Sequence, residues 1–186
     1  MSIGLSVPVS VNVPVRSIED TDFEEWFVLA CCSASVAHDR IVFEIAERDL
    51  HDGVATMEAV DRLSAIGVGI AVDDFGAGHA TFDRLRWRNV NQIKLDRGII
   101  RTSATDERDA VIVRSIIDLT HALGYSVVAE GVEDIGQLEV LREMGCEDVQ
   151  GYLFSHPLPL TDFTELLRRR RLDPIAMVSA LPASGL

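Results

Sequence analysis

The chain has 186 residues, 47% hydrophobic and 25% charged, a composition that predicts one globular domain with a sizeable core. Its net charge of -13 argues against nonspecific electrostatic binding of a nucleic-acid polymer. Apolar runs stay below the ~18 residues of a membrane span, and no Lys or Arg precedes the first apolar residues. We therefore predict no membrane insertion and no signal peptide. Three cysteines fit no disulfide framework and indicate a cytoplasmic protein.

Strand and helix patterns alternate along the chain. Strands are predicted at residues 5–13, 40–46, 68–73, 90–95, 125–130 and 148–153. Helices are predicted at residues 21–34, 53–66, 79–86, 106–123, 135–144 and 160–170. Strands rich in Val and Ile that are joined by helices indicate an α/β protein with a parallel sheet. Residues 1–171 are expected to form a single domain, followed by a tail at 172–186 of a composition that is often disordered.

Polar side chains stand near the C-terminal end of every predicted strand. They are Asn12, Glu44, Asp73 with Asp74, Lys94 with Asp96, Glu130 with Glu133, and Gln150. In a closed barrel these side chains would converge on one mouth, whereas in an open doubly wound sheet they would spread along an edge. One such residue is more often a cap or an ion-pair partner, but caps do not explain a polar residue on all six strands. The pattern favours a barrel, and an open sheet with an unrelated Mg²⁺ site remains the alternative.

The densest signal lies in residues 71–82. Asp73 and Asp74 are adjacent carboxylates at the end of an apolar strand, where they repel each other and are costly to desolvate. Gly76 and Gly78 then allow a tight turn and the close approach of a ligand. A helix cap would account for one aspartate, whereas a bound cation or a basic partner would account for both.

The donor atoms at these strand ends are oxygens. Carboxylates and amides without Cys or His suit Mg²⁺ or Mn²⁺ better than Zn²⁺. Lys94 cannot bind a metal while protonated, but it can offset carboxylate charge or hold a water or phosphate oxygen. Two divalent ions on such a cluster are the usual arrangement for hydrolysing a phosphodiester.

The chain resembles the EAL-domain family of bacterial cyclic di-GMP phosphodiesterases and receptors. The matching segments are Val-Asn-Val at 11–13, Glu-Ile-Ala-Glu at 44–47, Asp-Asp-Phe-Gly-Ala-Gly at 73–78, Lys-Leu-Asp at 94–96, Ala-Glu-Gly-Val-Glu at 129–133, Gln-Gly-Tyr-Leu-Phe at 150–154 and Pro-Leu-Pro at 157–159. They follow the family's order and spacing. The resemblance implies a TIM-like barrel with a site for two Mg²⁺ or Mn²⁺ ions, which opens cyclic di-GMP to linear pGpG.

The resemblance also implies a role for each matching residue. It implies metal ligands at Asn12, Glu44, Asp73, Asp74 and Glu130, and catalytic residues at Glu130, Lys94 and Asp96. Lys94 would lie near the nucleophilic water and Asp96 beside the metals. Gln150 and Asp74 would contact the substrate. Glu47 and Glu133 would support the loop after the aspartate pair, which also lies at the family's dimer surface.

The chain departs from the family pattern in three respects. It lacks the Glu-Ala-Leu segment, whose Glu is a metal ligand, and begins at what would be the third strand, which predicts an incomplete barrel of about six β/α units. Pro14 and Ser17 stand where Ser and Gln are usual, and Arg48 where a small polar residue is usual.

The departures bear on activity and assembly. An incomplete ligand shell should weaken one metal position, so we expect impaired or conditional hydrolysis, with a non-catalytic cyclic di-GMP receptor or protein-interaction regulator as the alternative. Open strand edges and an exposed barrel interior would favour a homodimer or a partner chain over the open side, and residues 1–10 folding in as a substitute strand are the remaining alternative.

Overall fold

The computed structural model describes residues 7–50, 53–77, 87 and 89–172, with side chains to Arg168. Two compact units are present: one runs from Val7 to Phe154, and the described part of the other covers residues 155–172. The first unit contains a six-stranded parallel sheet whose strands pair in chain order. The strands are β1 (Val9–Asn12), β2 (Ile41–Ala46), β3 (Gly69–Phe75), β4 (Gln92–Leu95), β5 (Ser126–Ala129) and β6 (Asp148–Val149).

Helices connect the strands of the first unit. They are α1 (Val15–Ile18), α2 (Phe23–Ala34), α3 (Val54–Ala65), α4 (Arg97–Ile100), α5 (Glu107–Ala122) and α6 (Ile135–Glu143), with short 3₁₀ turns at His38–Arg40 and Glu47–Asp49. The described part of the second unit contains α7 (Leu160–Leu172). Among the described helices, none has the length and apolar character that crossing a bilayer requires.

The core lies between the strands and the buried faces of the helices. Phe27 of α2 packs edge-on against Phe43 of β2, with ring centroids 5.0 Å apart. Val113, Ile117 and Thr120 are buried at helical spacing on α5. Each large apolar side chain buried in this way contributes ~1.5–3 kcal/mol, so packing fixes each helix against the sheet.

Side-chain caps define where α5 and α6 begin. The Asp106 carboxylate accepts hydrogen bonds from the Arg108 and Asp109 amides at the start of α5. Asp134 and Gln137 form a reciprocal capping box at the start of α6. Because each cap satisfies amides that have no partner within the helix, the side chains fix the first turn of each helix.

The sequence predicted the strand and helix alternation, but several bounds differ. The predicted strand at 148–153 ends at Val149, because the chain turns at Gly151 against the backbone of Val132. The short helices α1 and α4 were not predicted. Strand β1 is described over Val9–Asn12 within the predicted 5–13. The predicted helix at 79–86 and residues 173–186 of the predicted tail lie outside the described residues.

Candidate functional site

The main-chain geometry of β3 brings its two terminal carboxylates together. Successive side chains of a regular strand point to opposite faces, which would separate Asp73 from Asp74. Here the pairing of β3 with β4 shifts register between Val72 and Phe75, and Asp74 adopts a left-handed φ of 56°. That conformation costs a non-glycine residue ~1–2 kcal/mol, and it breaks the alternation of the strand.

Lys94 of β4 is the centre of the site. Its Nζ lies 2.8 Å from Glu44 Oε1, 2.9 Å from Asp73 Oδ1 and 2.6 Å from Glu130 Oε1. The Lys94 side chain is 5% exposed and that of Glu44 is 8% exposed. Each of the three carboxylates forms an ion pair with Lys94, and they equal in number the three N–H donors of an ammonium.

The same contacts show that the sheet is curled. Glu44 lies on β2 and Glu130 directly follows β5, and these strands are three positions apart in the sheet. Three strand spacings of ~4.8 Å would separate the two backbones by roughly 14 Å in a flat sheet. Strand side chains stand roughly perpendicular to a sheet. Contact of both carboxylates with one nitrogen atom therefore indicates that the strands curve around a concave face on which Glu44, Lys94 and Glu130 converge.

The three carboxylates keep Lys94 charged. Burial alone would lower the pKa of Lys94, but its hydrogen bonds to Glu130, Glu44 and Asp73 outweigh burial and raise the pKa above its usual value. The charged form of Lys94 is therefore favoured in this arrangement, in which it donates hydrogen bonds and neutralises carboxylate charge.

The surroundings of Glu130 disfavour its charged form. Burial raises the pKa of Glu130, and the charges of Asp73 and Glu44 raise it further, while Lys94 opposes both effects. The raised pKa indicates that negative charge at this position is only partly compensated by the protein. A further cation near Glu130 would relieve the imbalance.

Asp73, Asp74 and Glu130 are arranged so that they could share a cation. Each offers a carboxylate oxygen, and these atoms lie within 4.8 Å of one another. Hard oxygen donors of this kind suit Mg²⁺ or Mn²⁺. With Glu44, the site has four carboxylates and one ammonium, so ionisation of all five groups leaves three negative charges. The donor set therefore fits divalent ions.

Glu47 contacts the turn that follows the aspartate pair. Its side chain is buried, and Oε2 accepts a hydrogen bond from the Gly76 amide at 3.0 Å. Gly76 has a φ of +91°, which disfavours residues with a side chain. The turn is thus tied to the loop after β2.

Asp96 and Glu133 follow site residues in the chain, two positions after Lys94 and three after Glu130, and their described contacts lie elsewhere. Asp96 caps α4, because its Oδ1 accepts from the Gly98 amide at 2.7 Å. The Glu133 side chain is exposed and lies 3.8 Å from the Arg97 guanidinium. Arg97 was not predicted as the partner of Glu133, although it directly follows the Lys-Leu-Asp segment.

Asn12 is the last residue of β1, and Gln150 directly follows β6. These are the two outermost strands of the described sheet, and both residues are exposed. Asn12 is in register with Glu44 in the pairing of β1 with β2. The Gln150 amide donates to the Ala129 carbonyl, next to Glu130. Their main chains therefore adjoin site residues, and the described side-chain contacts around Lys94 come from Glu44, Asp73 and Glu130.

The fold and the strand-end cluster identify the chain as a member of a known family. The family model of the EAL domain matches residues 3–157 of this chain, so the chain belongs to the EAL domain family. It is 42% identical over 126 residues to the cyclic di-GMP phosphodiesterase RocR of Pseudomonas aeruginosa, a match covering 67% of this chain and 32% of RocR. The chain thus spans about a third of the length of that relative.

Solved structures of the family have the same fold. The EAL domain of Mycobacterium smegmatis DcpA has a TM-score of 0.82 and 29% identity, covering 87% of this chain and 73% of that one. Klebsiella pneumoniae BlrP1, in a complex with manganese and cyclic di-GMP, has a TM-score of 0.77 and 27% identity, covering 82% of this chain and 39% of BlrP1. The similarity confirms the predicted fold class, a TIM-like barrel that is incomplete in this chain.

Proposed function

We propose that this chain hydrolyses cyclic di-GMP to the linear dinucleotide with the help of divalent metal ions. The observation that carries the proposal is the group of Asp73, Asp74 and Glu130 carboxylates beside the charged Lys94. Membership of a family that includes cyclic di-GMP phosphodiesterases supports the choice of substrate.

Asp73, Asp74 and Glu130 are the residues that would hold a metal ion, with Glu44 and Asn12 as further oxygen donors. Mg²⁺ and Mn²⁺ are the proposed ions, and the manganese complex of BlrP1 supports that choice. When bound, such ions supply an activated water and neutralise the charge of the phosphodiester.

The residues of the chain have complementary tasks in this proposal. Lys94 keeps its proton and lowers the repulsion among three carboxylates. If one of them turns toward an ion, a Lys94 donor becomes free to hold a water or a phosphate oxygen. We assign Asp96 to a position beside the ions, and Gln150 and Asp74 to contacts with the nucleotide. Glu47 and Glu133 would support the turn at Gly76 and its surroundings.

A receptor without turnover is the second candidate. Among the described residues, three carboxylates lie close enough to share an ion: Asp73, Asp74 and Glu130. Hydrolysis with two ions needs additional ligands. Glu44, one such additional donor, lies outside that group of three. This arrangement favours weak or conditional catalysis, and binding without hydrolysis is its limiting case.

A second copy or a partner chain is proposed to cover β1. Among the described strands β1 pairs only with β2, so its other edge offers unpaired backbone groups. Val7, Val9 and Val11 alternate along the same segment and are 41%, 53% and 41% exposed. Sedimentation at micromolar concentration should show a dimer, and a stable compact monomer would contradict this part. We also infer a cytoplasmic location, for which the free cysteines are the support.

The decisive experiment is an assay of the purified chain with cyclic di-GMP and Mn²⁺, followed by chromatography for pGpG. Turnover that is lost in Asp73→Asn and Glu130→Gln would support hydrolysis by this site. Glu139→Gln on the exposed surface of α6 is the matched control and should keep wild-type turnover. Tight binding of the nucleotide without pGpG would favour the receptor, and neither binding nor turnover would contradict both candidates.

A further inference from the structure

Helix α4 lies between the two chain segments that carry the metal-binding carboxylates. Its first turn follows directly from β4, and the Asp96 amide donates to the Phe75 carbonyl at 3.2 Å. The Glu130 amide donates to the Leu95 carbonyl at 3.0 Å. The turn after Asp74 and the start of the Glu130 loop are therefore both hydrogen-bonded to the residues that lead into α4.

Two side chains of α4 pack on the glycines that follow these carboxylates. A Cβ built on Gly76 would lie 1.9 Å from Ile99 Cδ1 and 2.9 Å from Ile99 Cγ1. A Cβ built on Gly131 would lie 2.5 Å from Arg97 Cβ. Ile99 and Arg97 thus occupy the space that side chains at Gly76 and Gly131 would need.

The carboxylate group needs such support because its members repel one another. Asp73, Asp74 and Glu130 hold like charges within 4.8 Å, and Asp74 stays in a left-handed conformation. Both the repulsion and the backbone strain favour an outward movement of the turn. Glu47 holds the turn through the Gly76 amide, whereas Ile99 packs against the Gly76 Cα.

We propose that Ile99 is a positioning residue, which keeps the turn at Asp74–Gly76 at the distance from Glu130 that allows these carboxylates to share a metal ion. The inference rests on the proposed function for the identity of the ion. Ile99 acts through packing and contacts no ion itself. Its neighbour Ile100 is fully buried, which anchors α4 in the core.

The test compares Ile99→Ala, Ile99→Val and Ile116→Ala. Ile116, on α5, is also a partly buried isoleucine packed against the core, which makes it the matched control. Loss of support for metal ligands typically weakens metal binding by tenfold or more, so Ile99→Ala should raise the Kd for Mn²⁺ roughly tenfold. Ile99→Val, which keeps most of the contact, should recover most of the affinity, and Ile116→Ala should leave the Kd within about twofold of wild type.

Hydrogen exchange provides a readout that does not need the metal. The amides of Gly76 and Ala77 are bonded to Glu47 and to the Asp74 carbonyl, and they should exchange faster in Ile99→Ala than in Ile116→Ala. Equal exchange in the two variants, or an unchanged Kd for Mn²⁺ in Ile99→Ala, would overturn the positioning role.

The outcomes separate this inference from the proposed function. A wild-type chain that binds Mn²⁺ but does not bind or hydrolyse cyclic di-GMP would contradict the function, while the Kd series would still decide the role of Ile99. A wild-type chain that binds no Mn²⁺ would overturn the positioning of a metal site whatever the exchange rates show.

Discussion

The Lys94 ammonium lies 2.6 Å from the Glu130 carboxylate, which is the shortest of its three ion pairs. The contact joins β4 to the loop after β5, while Glu44 and Asp73 join the same nitrogen from β2 and β3. One cation therefore connects four consecutive segments of the parallel sheet. Its removal would affect both the stability of the fold and the charge of the site.

Lys94→Met should destabilise the protein by about 3 kcal/mol, because removing one partner of a buried ion pair leaves uncompensated charge. Urea unfolding without added metal measures the change. Millimolar Mn²⁺ should recover part of the loss, since a divalent ion can neutralise the carboxylates that Lys94 leaves.

An exposed ion pair provides the control for Lys94. Arg40 lies 3.9 Å from Asp39, and both side chains are exposed. Such surface pairs contribute little, so Arg40→Met should change the free energy of unfolding by less than about 1 kcal/mol. Equal destabilisation by the two variants would contradict the central role of Lys94 in the stability of the sheet.

Gly151→Ala, in the turn after β6, should destabilise the protein more than Gly→Ala at a left-handed glycine with open space around it. A Cβ at Gly151 would lie 2.1 Å from the Val132 carbonyl oxygen and 2.3 Å from the Val132 nitrogen. Because these are backbone atoms, relief requires the chain to move, and overpacking of this kind costs at least ~2 kcal/mol.

Gly124→Ala is the matched glycine variant. Gly124 has a φ of +88°, and no atom lies within 4 Å of the built Cβ. The substitution should therefore cost only the backbone strain of ~1–2 kcal/mol. In thermal unfolding, Gly151→Ala should lower the Tm more than Gly124→Ala does. The reverse order would refute the close contact of Gly151 with Val132.

Glu147 should make the protein more stable at neutral pH than in acid. Burial raises the pKa of Glu147, but hydrogen bonds from the Val127 amide and from His121 outweigh burial, and the net pKa is lowered. A lowered carboxyl pKa contributes stability that is present above the unfolded-state pKa and is lost as the pH falls through the folded-state pKa.

Glu147→Gln tests this dependence. The gap in unfolding free energy between wild type and variant should be largest near pH 7 and should shrink as the pH falls below ~4.3, the ordinary glutamate pKa. A gap that stays constant from neutral to acidic pH would rule out this role for the Glu147 carboxylate.

The cysteines should differ in reactivity. Burial raises the pKa of Cys146 to about 11, so little of its thiol is ionised at pH 8. Cys32 is exposed. Alkylation by iodoacetamide, followed by mass spectrometry, should modify Cys32 at least ~10-fold faster than Cys146. Cys32→Ser should remove the fast reaction and Cys146→Ser should preserve it; comparable rates at both sites would contradict the expected protection.

Much of the architecture can be predicted from the amino-acid sequence. Val-rich and Ile-rich segments separated by amphipathic segments predict a parallel α/β sheet, because the periods of strands and helices are local properties of the chain. The polar residue near each strand end, such as Glu44 or Lys94, was also evident, since parallel strands place their C-terminal ends at one edge.

The tertiary structure decided which of these residues meet. Periodicity carries no information on sheet curvature, and only the curled sheet brings Glu44, Asp73 and Glu130 to the one nitrogen of Lys94. The left-handed Asp74 and the packing of Ile99 on Gly76 likewise arise where separate segments converge. The sequence alone determined which elements form and which chemical groups they carry, whereas the distances among those groups depend on contacts between residues that are far apart in the chain.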